Sequence, residues 1–381
     1  MSIWQPCYSN RYEVQRALDF APGVDANAQT DRAMMSAAEN IYGQFHRVFY
    51  PYDGTRWADW PNQGEWGGGQ YADPWKLRLN DNDLVCMTQL QSGGVTIPLT
   101  AVFLRPTDNW QKGMPFTHFE LDRSQSYTFG NAAQTPQNSI SMTGTWGYGA
   151  DADPAGTLAA EVGTSDATIT VTDGSQAGPG DLVVLGYGRG STTASAPYAG
   201  SIAPYLGERI LITDVTAVAT GLTQAGSGCT TDETSDIALS TTGTGALNVG
   251  EVLVLDQEQL LVEQVVAGVA TVRRAFAGTA LQDHSGATVY AFRQYSVLRA
   301  QLGTSANSYA LAAAVVRHRV PQLIRDLSIA ESEVQLLNEG SAYARTVGSG
   351  ESATPAPGVG LMDKWAEARA RYGRKGRMRG V

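Results

Sequence analysis

The residues through which this chain could do chemistry are four histidines, three cysteines and a few closely spaced carboxylates. His46, His118, His284 and His318 lie far apart, and none stands at metal-ligand spacing from another histidine or from a cysteine. Cys7, Cys86 and Cys229 are odd in number and widely separated, which points to free thiols in a reducing compartment. No Gly-x-Ser-x-Gly elbow presents a nucleophilic serine. Glu120 and Asp122 are two apart on a predicted strand and so share a face, as a glycoside-cleaving carboxylate pair would. A solvated edge of a β face is the far more common origin of such a pair. Asn80, Asp81 and Asp83 offer oxygens to calcium without EF-hand spacing, and a polar turn accounts for them.

Two further motifs are weak for stated reasons. Gly186-Tyr187-Gly188-Arg189-Gly190 follows a strand as a phosphate loop does, but no helix start follows it, so a long hairpin loop is predicted. Tryptophans clustered between Trp57 and Trp75 could stack on sugars, although aromatic strands more often fill cores. The residues therefore nominate no catalytic group, no metal ligand and no cofactor.

The elements that would position any site are more informative. Asn10 and Glu13 have capping-box spacing ahead of Val14, Ala17 and Leu18, predicting a short helix that ends near Phe20. Asp25 can cap a longer one in which Met34, Ala37, Ala38, Ile41, Tyr42 and Phe45 recur at helical steps. From residue 52 the pattern turns to short alternating runs, forming a first β unit to about 150. A second β unit spans 151–317 and contains a repeat. Ala167–Val171, Gly180–Leu185 and Gly207–Ile212 are echoed by Asp236–Leu239, Gly250–Leu255 and Glu258–Val262. A smaller echo pairs Val272–Ala280 with Val297–Ser305 and sets His284 against Tyr309, both placed within the second copy. Hairpin modules of a small barrel or sandwich are expected.

Pro321 suits the first turn of a helix whose apolar stripe is Val320, Leu323, Ile324, Leu327, Ala330, Val334 and Leu337, within a core segment at 318–346. The segment 347–381 is a Gly/Pro-broken linker, a last helix over 361–372 and a basic tail. Formal charge is -10 overall, yet Lys364, Arg369, Arg371, Arg374, Lys375, Arg377 and Arg379 face a single acid, Glu367. The acidic body argues against wrapping nucleic acid. The tail's arginines suit bidentate pairing with carboxylates of another protein, with Trp365 and Tyr372 anchoring the helix, and DNA phosphate contact is a secondary use. No signal peptide and no apolar run of roughly 18 residues is present, so assembly in the host cytoplasm and no membrane partner are expected.

The fold class read from this order is α+β: N-terminal helices (1–51) and a C-terminal helix form a small bundle interrupted by a large β insertion. The helix pair in Tyr12–Val48 with its exit Phe49-Tyr50-Pro51 resembles the head-to-tail adaptor (connector, head-completion) proteins of long-tailed bacteriophages. So do Arg325-Asp326-Leu327 and the run from Tyr343 to Gly348. Gly250–Leu255, with Val272, Arg274-Ala275 and Gly278-Thr279, is similar to phrases in phage virion proteins. The resemblance implies a non-enzymatic ring, typically of twelve copies, under the capsid portal in the virion neck. It implies a portal-binding C-terminal segment, a stopper or tail-terminator neighbour, and double-stranded DNA passing without sequence recognition. Ring-core positions would be Met34, Ile41, Phe45, Leu323, Leu327 and Val334. The rival reading is another neck component or a tail-tip protein that binds host glycans.

Overall fold

The computed structural model describes residues 3–18, 24–60, 75–79, 82–109, 114–129, 137–149, 151–189, 205–226, 229–231, 236–340, 346–347, 354–355 and 359–373. The fold is α+β, with helices contributed by both ends of the chain and a β-rich centre between them. The helices are α1 (Arg11–Leu18), α2 (Val24–Phe45), α3 (Gln322–Gly340) and α4 (Val359–Tyr372). The capping box at the start of α1 is formed: Asn10 Oδ1 accepts from the Glu13 N–H and Glu13 Oε2 from the Asn10 N–H.

The first β unit contains β1 (Tyr52–Ala58), β2 (Lys76–Arg78), β3 (Leu84–Ser92), β4 (Val95–Ile97), β5 (Val102–Arg105), β6 (His118–Leu121) and β7 (Ile140–Trp146). They form an antiparallel four-stranded sheet in the order β1-β7-β3-β4 and a three-stranded sheet β2-β6-β5. A bridge between Leu84 and Phe116 links the two, and one core holding Leu77, Leu90, Phe119, Met142 and Trp146 lies between them. The alternating burial of β5 and β6 is what a strand with one face on a core must show.

The second β region is one eleven-stranded sheet with two cores. Its strands are β8 (Ala152–Thr157), β9 (Thr168–Thr170), β10 (Leu182–Arg189), β11 (Tyr205–Gln224), β12 (Ile237–Leu239), β13 (Thr241–Gly243), β14 (Val252–Leu255), β15 (Glu258–Val266), β16 (Val269–Arg273), β17 (Thr288–Gln301) and β18 (Ala314–His318). One core gathers Leu158, Ile169, Val183, Ile210, Tyr295 and Val315; the other gathers Leu239, Leu253, Leu260, Val272, Val289 and Ala291. The long strands β11 and β17 pair antiparallel through both, and their register shifts between Thr216 and Ala217 where one core gives way to the other.

The two cores belong to two copies of the same module, and the second copy is inserted inside the first. Gly180 donates to the Ile212 carbonyl and Ile212 to the Asp181 carbonyl; in the other copy Gly250 donates to Val262 and Val262 to Glu251. Each copy buries one glutamate in the same cradle. Glu208 accepts from the Arg299 guanidinium and from the N–H groups of Ala300 and Asn307. Glu258 accepts from Arg274 and from the N–H groups of Ala275 and Gln282. The hairpin Val297–Ser305 therefore closes the first copy, not the second as its place in the sequence suggested. The first copy's β11 leads out into the inserted module and β17 leads back.

One expected loop is placed differently. Gly186–Arg189 lies within β10 as a bulged continuation paired with Tyr205 and Leu206, because a positive φ at Gly186 re-aims the strand without ending it. Residues 190–204 lie outside the described residues, as do Asn80, Asp81 and most of the linker from 341 to 358.

A carboxylate buried in a cradle stays ionised only while its donors hold. Burial pushes the Glu258 carboxyl up, but Arg274, the two N–H groups and His284 outweigh it and hold its pKa at about 2. Removing one partner of such a pair leaves an uncompensated buried charge, so Arg274→Met and Arg299→Met are each expected to cost about 3–5 kcal/mol in urea unfolding at neutral pH. Arg273→Met, on the exposed neighbour, should stay within about 0.5 kcal/mol.

Candidate interaction surface: the helical layer and its last helix

The two ends of the chain meet through charge before they meet through apolar contact. Arg325 on α3 reaches Glu13 on α1 at 2.6 Å and lies 3.5 Å from Asp181 in the first module copy. Asn10 donates to the same Asp181 at 2.8 Å. Arg11 forks onto Asp31 of α2 at 2.7 and 2.8 Å and reaches Asp214 of β11 at 2.8 Å. These bonds fix the helices to each other and to the module beneath.

The apolar packing of α3 is turned relative to the predicted stripe. Ile324, Ser328, Ser332 and Leu336 form its buried ridge, with Leu327 beside them, whereas Val334 is half-buried and Leu337 is exposed. Ser328 and Ser332 go inside because their hydroxyls are satisfied, Ser328 with Ser9 and Ser332 with the Ser328 carbonyl. Of the predicted ring-core residues, Met34 packs with Ile3, Cys7, Val14 and Leu336, while Ile41, Phe45 and Leu327 enter an aromatic cluster that Leu323 borders.

That cluster is where α4 is held. The Trp365 ring stacks on Phe45 at 5.6 Å, and Tyr372 meets Phe49 and Tyr148 edge-on at 5.7 and 5.3 Å. Trp365 Nε1 donates to Glu331 of α3, and Ala368 lets the helix approach closely. Trp365 and Tyr372, expected to anchor the last helix of a portal-binding tail, are buried within their own chain, where ring stacking on Phe45 and Phe49 removes them from water. What α4 turns outward is Arg369, bonded to Gln44, and Arg371, each lying over the ring of a neighbouring aromatic. Arg374, Lys375, Arg377 and Arg379 lie outside the described residues.

The residues weighed for chemistry have structural partners. Glu120 pairs with Arg105 at 3.1 Å, and Asp122 caps a turn at Ser124. Asp83 is buried beside Arg47. His46 closes α2 at positive φ, and the three cysteines are buried thiols that form no disulfide. His284, isolated in the sequence, bridges Asp256 at 2.8 Å and Glu258 at 2.9 Å, a constellation that the alignment of His284 with Tyr309 alone pointed to. Among the described residues no three histidine, cysteine or carboxylate side chains converge so as to hold a metal ion, since opposite ring nitrogens of His284 face Asp256 and Glu258, and no helix is long and apolar enough to cross a membrane.

No family model, curated protein or solved structure matches the chain.

His318 ties this layer to the sheet: its Nε2 donates to the Phe49 carbonyl at 2.8 Å. Burial pulls its pKa down from 6.5 to about 4, against that carbonyl's pull upward. The folded state therefore favours neutral imidazole, and its contribution, intact above pH 6.5, is lost as pH falls toward 4. Urea unfolding across that window should show a fall of up to about 3 kcal/mol that His318→Gln flattens. For α4, Trp365→Ala should remove about 3–5 kcal/mol of docking. Amide exchange would then show 359–372 unprotected while the β modules keep their protection.

Proposed function

We propose that the chain is a non-enzymatic structural protein of the phage virion neck, a head-to-tail adaptor that forms a ring under the portal. The observation that supports this is the helical layer. Segments from opposite ends of the chain, α1 and α2 with α3 and α4, pack into one layer from which two β regions extend. This is the arrangement expected of an adaptor whose core is split by an insertion. Copies would associate side by side through a heterologous contact that closes, typically as a dodecamer. The outward residues of the layer, Tyr42, Leu337 and Met362 with Arg369 and Arg371, are the groups a neighbour would meet. An acidic body lining a lumen repels DNA and lets it pass without sequence recognition. Portal above and a stopper or tail terminator below would be its neighbours.

The test is native mass measurement of the protein alone and mixed with portal protein. A ring, or a complex with portal, is the expected result, and Arg369→Glu with Arg371→Glu should weaken portal association at least about tenfold. A strictly monomeric protein that ignores the portal removes the proposal.

A further inference from the structure

The duplication supplies its own comparison, because the two copies carry one turn in nearly identical geometry and, among the described residues, only one of the two turns is occupied. In the first copy the turn is Arg299-Ala300-Gln301-Leu302-Gly303-Thr304; in the inserted copy it is Arg274-Ala275-Phe276-Ala277-Gly278-Thr279. Positive φ falls at the same three places, Ala300, Leu302 and Gly303 at 53°, 55° and 84°, and Ala275, Ala277 and Gly278 at 50°, 55° and 75°. The threonine hydroxyl in each donates back across the turn, Thr304 to Gln301 and Thr279 to Phe276. Each hydroxyl also accepts from the residue after the buried glutamate, Arg209 or Gln259.

The first turn is a docking site. The Asp53 N–H of β1 donates to the Leu302 carbonyl at 2.8 Å. The Asp53 carboxylate takes the buried Arg209 guanidinium at 2.9 Å. A Cβ on Gly303 would stand 2.3 Å from the Asp53 carbonyl oxygen, so glycine is what allows the strand to lie down there. The second turn has the same shape and no such strand: among the described residues no N–H donates to the Ala277 carbonyl, the counterpart of Leu302. Instead Ala277 and Gly278 line a cleft of about 630 Å3 that α1 closes on the other side.

We infer that the turn Arg274–Thr279 is a docking site for an extended, carboxylate-bearing segment of a partner protein. The segment donates a backbone N–H to the Ala277 carbonyl, as Asp53 does to Leu302. Gln259 replaces the cation Arg209, and positive charge reaches the cleft from Arg273 beside the turn and Arg16 on α1, both exposed. Arg273 lies over the Phe276 ring of the turn with its guanidinium 3.5 Å from Glu263, and Arg16 has no partner among the described residues. Among the described residues the segment that fits such a turn, around Asp53, is already bound to the first one, so the occupant we infer is a different chain. The inference rests on the duplication and is independent of the ring.

The test uses the full-length protein and a fluorescein-labelled peptide with the sequence of residues 50–57, carrying a photoreactive group. Saturable binding, cross-linked to 273–278, is expected, and it should weaken at least about tenfold in Arg273→Glu with Arg16→Glu, or when the peptide's aspartate is replaced by lysine. Both arginines are exposed, and the unfolding midpoint confirms that the variant is folded. Cross-links elsewhere, binding indifferent to both changes, or no saturation by about 1 mM peptide overturn the inference. Loss of self-association in the arginine variant would also overturn it, by assigning the site to a second copy.

Discussion

A buried carboxylate surrounded by donors is the constraint on which this structure depends, and it is used twice in each module copy. Glu208 and Glu258 sit inside their modules, where an unpaired charge would be intolerable, and each gathers a guanidinium and two backbone N–H groups from the closing hairpin. The hairpin's left-handed residues follow from this. Ala300 and Ala275 aim their N–H groups at the carboxylate only from positive φ, a strain the charge-assisted bonds offset. The second use is at the module's border. Asp181 takes Asn10 and lies near Arg325 of the helical layer, and its counterpart Glu251 takes Arg293 and the Gly174 N–H of the other copy. One position in the module thus fastens the first copy to the helices and the second copy to the first.

This arrangement explains how a chain with its ends in one layer tolerates so long an interruption. The inserted copy enters through β11 and leaves through β17, which remain hydrogen-bonded to each other across the border, so the parent copy loses no strand pairing to the insertion. The parent in turn leaves from β18 directly into α3, with His318 and Val320 already committed to the Phe49 region. The helical layer is consequently built on the first copy, and α4 is added last, through rings that stack rather than through its charges.

Much of this was legible in the residues, and the remainder has identifiable physical causes. The capping box at Asn10 and the helical spacing of Met34, Ile41 and Phe45 are local signals, and the helices they predict form. The stripe on α3 was turned because Ser328 and Ser332 carry no hydrophobic signal, although a satisfied hydroxyl buries as readily as a small apolar group. That Trp365 and Tyr372 anchor the last helix is legible, but what they anchor it to is not, because a large aromatic beside arginines fits an interface and an intramolecular ring cluster equally; only the position of Phe45, Phe49 and Tyr148 separates the two. The repeated Arg-Ala-x-x-Gly-Thr phrase was visible. Its nesting was not, because sequence order places both hairpins after the second copy's first strands, whereas only the pairing of Glu208 with Arg299 reveals which copy each one closes.

The differences between the copies are as informative as their common frame. The cradle residues are kept as Glu, Arg and Thr, while positions around them change, among them Arg209 against Gln259, Leu302 against Ala277, and Tyr309 against His284. In the first copy the changes suit a turn pressed against β1, with a buried guanidinium for Asp53. In the second, His284 instead links the buried Glu258 to Asp256, which is largely exposed, so the cradle is connected to the surface by a hydrogen-bonded bridge. The fold constrains the cradle, because any loss there strands a buried charge, and leaves the rim free to diverge. Duplication followed by divergence at the rim is how one module can hold its own chain together in one copy and remain available to another chain in the next.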